Sequence, residues 1–177
     1  MSLFEDLLFR IEGGNDFKVL YYPKIRFTIP AFRVQGTLKC EGALFGTSRP
    51  GRDDDDGTKF FLPLTTFSVV KNDCNKNTSI TMATNEVPQI LVQSILAYNQ
   101  NPTLENYSGF VVSIDGTIVH ISQAFLSHAY MENLCKGGSL LGEHLEFCRS
   151  ESYDLLECDR RREVLRLIIG IFRFHIT

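Results

Sequence analysis

Two short apolar runs, Phe110-Val111-Val112-Ser113-Ile114 and Thr117-Ile118-Val119-His120-Ile121, meet at Asp115-Gly116. Asp-Gly between two such runs is a strong hairpin signal, because both central residues of the favoured tight turn need positive φ. Whatever else the chain builds must accommodate this hairpin. The residues after it predict a helix capped by Ser122, with Leu126, Tyr130 and Leu134 on one face and Gly137-Gly138 as its end. A second helix is predicted from about Ser152, where Val164, Leu165 and Ile168 form an apolar face and Glu157 and Arg161 stand four apart. Past Gly170 the alternation of Phe172, Phe174 and Ile176 with Arg173, His175 and Thr177 predicts a strand.

The opening of the chain is of another kind. Residues 1–70 form a strand-rich half, in which Lys24-Ile25-Arg26-Phe27-Thr28-Ile29 alternates with period two. Ala31 to Lys39 predicts another strand with a bulge at Gly36, and Lys59 to Val70 a further one in which Pro63 marks an edge or a bulge. Gly46 to Thr58, with Asp53-Asp54-Asp55-Asp56, predicts an exposed loop. Residues 71–106 read as a linker with one helix, on which Val87, Leu91, Ile95 and Tyr98 share a face, Asn85 is the N-cap and Pro88 lies in the first turn. Residues 107–177 are the hairpin-helix half.

At 177 residues, 44% hydrophobic and 22% charged, the chain is long enough for a core that needs no covalent staples. A formal net charge of −3 supplies no basic field for phosphate backbones, so direct nucleic-acid binding is not expected. No apolar run reaches the roughly 18 residues of a membrane span, so no membrane partner is expected either. The five cysteines are odd in number and irregularly spaced, and the opening Met-Ser-Leu-Phe-Glu-Asp is no cationic, apolar leader. Free thiols in the nucleus or cytoplasm follow as the expectation.

Candidate chemistry is thin. Cys135, His144, Cys148 and Cys158 are metal-competent, yet neither a Cys-x2-Cys nor a His-x3-His pair occurs, so no metal site is assigned. Cys135 or Cys148 with His128 or His144 lacks any oxyanion-hole turn, so no catalytic residue is assigned. Gly137-Gly138-Ser139 lacks the Lys-Ser/Thr of a phosphate loop, the aspartate run lacks the spacing of a calcium loop, and Arg160-Arg161-Arg162 reads as a wet helix face.

Gly109-Phe110-Val111-Val112 with Asp115-Gly116-Thr117-Ile118, then Ile121 to Phe125, Leu140-Leu141-Gly142 with Leu145 and Phe147, and Asp159 to Leu165 follow an order that resembles the first half of a PAS domain. Leu8 to Ile11, the strand to Ile29, Val34 to Lys39, the acidic loop and Phe60 to Val70 resemble the second half. The likeness is nearest to the PAS repeats of bHLH-PAS transcription factors and Period-type clock proteins, with the halves in reverse order. It implies an α+β fold, a PAS-like antiparallel sheet with helices packed on one face, either permuted or split between two PAS repeats. It also implies a protein-interaction and dimerisation module in transcription regulation or signalling, partnered by another PAS-like protein or by itself. No enzyme activity is expected. Phe27, Ile29, Phe67 and Val69 are the contact or core positions this suggests. No flavin-adduct motif occurs and no cofactor is expected; a haem would need His120, His128 or His144 pointing inward, and an empty or small-ligand cavity is the default. The alternative from a different class is a small α/β metal-binding or enzymatic protein using the Cys135-to-Cys158 region. A third is a fragment or divergent copy of a larger regulator, suggested by the ending inside an apparent strand.

Overall fold

The computed structural model describes residues 17–47, 61–69 and 78–176. The strands are β1 (Phe17–Tyr21), β2 (Lys24–Ile29), β3 (Val34–Lys39), β4 (Gly42–Thr47), β5 (Phe61–Val69), β6 (Asn106–Asp115), β7 (Ile118–Ser127), β8 (Glu146–Arg149) and β9 (Tyr153–Asp154). The helices are α1 (Thr78–Gln100), α2 (His128–Lys136) and α3 (Cys158–Ile176), with a 3-10 turn at Pro30–Phe32. The Leu8 to Ile11 segment, most of the acidic loop and the start of the linker lie outside the described residues.

The fold is α+β, built on one mixed, mostly antiparallel sheet in the order β1-β4-β5-β6-β7-β8, with β9 also paired to β7. A separate two-stranded ribbon consists of β2 and β3. Among the described residues the one parallel pairing, β5 with β6, joins the strand-rich half to the hairpin half. Parallel neighbours need a long crossover, and α1 supplies it. The region read as a linker is therefore mainly helix, and Asn85 lies inside it rather than at its cap. Pro88 likewise sits in the interior.

Helices cover both faces of the sheet, not one as expected. Val112, Val119, Phe67 and Leu44 pack under Val164, Ile168 and Phe172 of α3, whereas Val111, Ala124 and Leu126 pack under Ile90 and Ile95 of α1 and Met131 of α2. The reason is legible in β6, whose successive residues Phe110 to Val112 are all buried, so neither face of this strand tolerates water.

The C-terminal segment is helix where a strand was expected. Val164, Ile168, Ile171 and Phe172 recur at helical spacing and are all buried, and this stripe outweighs the short alternation at the end. The hairpin forms as expected, but its central residues are Gly116, at φ 59°, and Thr117, since Asp115 pairs with Ile118 at the end of β6, and both strands run to ten residues. Strand β7 thereby consumes Ser122, which faces Val111 across the ladder, and Ser127 caps α2 instead by accepting from the Tyr130 amide. Gly137 ends that helix in the left-handed conformation at φ 79°.

Gly36 is not a bulge: it pairs in register with Phe27, whose ring lies where a β-carbon would be. Pro63 lies in a central strand, beside the register shift between Leu44 and Phe45, so the bulge and not the edge accommodates it.

Candidate functional site

The β6–β7 hairpin is longer than the helix that covers it. On the α3 side, Phe110 stands opposite Gln123 and Ser108 opposite Phe125. Phe110 and Gln123 floor an open groove of about 450 Å³ walled by Leu167, Ile171 and Phe174 of α3, and Phe125 follows Gln123 on the same face of β7, outside the groove lining. Phe174 packs its edge on Phe110 at 5.5 Å between ring centres yet stays 55% exposed, and Phe125 is 42% exposed. Nothing lies within 4 Å of the β-carbon position of Gly170, so the helix wall is open there. The polar rim holds Glu163 and Arg166, paired at 3.5 Å.

His175 supports this groove from below, its ring edge-on to Phe110 at 5.4 Å. Burial pushes its pKa down to about 4, against a backbone hydrogen bond at Leu64, and its Nε2 is buried without a partner. Unfolding frees this imidazole to take a proton near its ordinary 6.5. The unfolded state then binds more protons between pH 6.5 and about 4, so stability is lost as pH falls through that window. The loss from this group is at most about 3 kcal/mol. Urea melts across that range should show the slope, and His175→Phe should flatten it.

On the opposite face lies a polar cluster sealed in the core. Glu86 of α1, 1% exposed, accepts hydrogen bonds from Ser113 Oγ at 2.5 Å and Ser122 Oγ at 2.6 Å, with Arg149 Nη2 at 3.5 Å. His120, on the same face, has its pKa lowered by burial and by the Arg149 charge. One helical turn pair further on, Gln93 Nε2 donates to Thr66 Oγ1 and to the Phe110 carbonyl, while its Oε1 accepts from the Phe110 amide, all at 3.0 Å. Gly109 is what lets the Gln93 amide lie so close: a β-carbon there would sit 3.0 Å from Oε1 and from Ile90. These bonds tie α1 to β5, β6 and β7, with Arg149 of β8 the partly exposed member of the cluster.

The four suggested contact positions do not share a surface. Phe67 is buried under α3, Phe27 and Ile29 are partly buried on the inner side of the ribbon, and Val69 is 45% exposed at the end of β5. Cys135 is buried in the core beside α1, with its pKa raised by burial, while Cys148 on β8 and Cys158 at the start of α3 are exposed. Exposed His144 lies 3.9 Å from Glu146. Among the described residues, no three His, Cys, Asp or Glu side chains converge as metal ligands, and no helix is long and apolar enough to cross a membrane.

Sequence reasoning passed over Glu86, Ser113, Arg149 and Gln93 and the aromatic set of the groove, and gave Ser122 a capping role that it does not have. Glu86, Gln89 and Gln93 do stand at i, i+3 and i+7, a helical stripe, but polar residues in such a stripe read as a solvent face. The sequence matches no known protein-family model, and no curated protein is significantly similar to it.

Proposed function

We propose that the chain is a protein-interaction and dimerisation module of a regulatory protein of the nucleus or cytoplasm, acting by binding and contacting DNA only through a partner. The observation that carries this reading is the joint exposure of Phe125 and Phe174 beside the Phe110 groove. Large aromatics left open around an apolar cleft are the residues that dominate interface energies. The partner is a second copy of the chain or another domain of the PAS-like class that the sequence resembles, and such a permuted PAS-like reading is consistent with β5 lying beside β6. Self-association through one shared patch is the commonest symmetric arrangement.

Sedimentation velocity over a dilution series tests this. The expected result is a dimer that dissociates on dilution, and a Kd at least about 30-fold higher for Phe125→Asp or Phe174→Asp, with unchanged circular dichroism. A monomer at every concentration would remove the second copy as partner.

A further inference from the structure

The β2–β3 ribbon stands outside the main sheet and has two unlike faces. Its inner face turns Ile25, Phe27 and Leu38 to the core. Its outer face is cationic: Lys24 lies directly opposite Lys39, Arg26 opposite Thr37, and all three basic residues are exposed. None of them makes an ion pair or a side-chain hydrogen bond with any described residue. Like charges set opposite each other destabilise a strand pair, and among the described residues nothing offsets these paired cations.

Among the described residues the ribbon also has no further strand neighbour. Beyond the β2–β3 ladder, its flanks make the Tyr22-to-Glu41 and Arg33-to-Pro30 backbone bonds, and no other among the described residues. An open strand edge is a template for a further strand. Lysines on such an edge repel a strand of their own kind, and they attract one with carboxylates at alternate positions. The match is metric as well as electrostatic, because alternate side chains recur about every 6.8 Å along any extended strand.

We propose that the β2 edge takes up an extended acidic peptide segment of a partner protein as a third strand, its alternate Asp or Glu side chains lying beside Lys24 and Arg26, with Lys39 one strand further on adding to the positive field. The net charge of −3 conceals this surface, since the fold segregates three cations onto one face. The ribbon site is separate from the Phe110 groove and does not depend on self-association.

Fluorescence anisotropy of a labelled peptide alternating Glu and Thr, titrated with the full chain, tests the proposal. Saturable binding that weakens with salt is expected. It should fall about tenfold in the Lys24→Glu, Arg26→Glu, Lys39→Glu variant, whose substitutions are exposed and should leave the circular dichroism unchanged. It should also fall with a peptide of the same charge in which proline replaces each Thr, because proline cannot join a ladder. Phe125→Asp should bind the peptide normally. No saturable binding, equal binding of the proline peptide, or preferential binding of oligothymidylate would each overturn the proposal, the last by making the ribbon a nucleic-acid surface.

Discussion

Glu86→Ala should destabilise the fold by about 3 to 5 kcal/mol, the cost of stripping one partner from a buried charge pair. The substitution deprives Arg149, 21% exposed, of a carboxylate and leaves the Ser113 and Ser122 hydroxyls, both fully buried, without their acceptor. Each orphaned buried hydroxyl alone is worth about 1 to 3 kcal/mol. Glu86→Gln keeps one acceptor oxygen and should fall between wild type and Glu86→Ala. Leu in place of Glu86, Ala in place of both serines and Met in place of Arg149 would recover much of the loss, because a buried ion pair is often replaceable by apolar packing as a set. Chemical denaturation monitored by circular dichroism measures all of these. If Glu86→Ala cost under about 1 kcal/mol, the cluster would be open to water and the seal around it absent.

Phe172→Ala should cost about 3 to 5 kcal/mol, whereas Phe174→Ala should cost much less. Phe172 is 1% exposed and belongs to the α3-side core, while Phe174 is 55% exposed at the groove. The contrast discriminates between two conformations of the same residues. A strand would turn both rings to one side and predict similar costs, because side chains two apart share a face. In a helix they are separated by about 200°. Phe174→Ala should act instead on the sedimentation of the chain, so stability and association separate at neighbouring alternate positions.

The local signals that sequence reasoning read correctly were those with a short-range physical cause. The hairpin turns at Gly116 because the backbone there must reach positive φ, and Gly137 ends α2 for the same reason. The alternation in Lys24 to Ile29 is a strand with Ile25 buried and Lys24 and Arg26 exposed. Val87 to Tyr98 is helix because its apolar residues repeat at helical spacing. Strand β4 escaped notice since Gly42-Ala43-Leu44-Phe45 is brief and runs between glycines, and its assignment depends on β1 and β5 lying on either side. The two strands of four and two residues, β8 and β9, are similarly made by the long edge of β7.

The candidate sites were less legible than the elements. Glu86 to Gln93 is a polar helical stripe that is buried rather than exposed, with Glu86 satisfied by Ser113, Ser122 and Arg149 from three other strands and Gln93 by Thr66 and Phe110. Composition averaged away the ribbon's cations. By itself the sequence determined where the hairpin turns, where α2 stops and that β2 is half-wet, because these depend on φ preference and on the period of apolar residues within a few neighbours. Tertiary structure alone decided that β5 lies parallel to β6, that α3 closes the second face, and which of Phe172 and Phe174 is buried. Those outcomes depend on contacts between residues tens of positions apart, where the free energy of covering an apolar face overrides the local alternation of side chains.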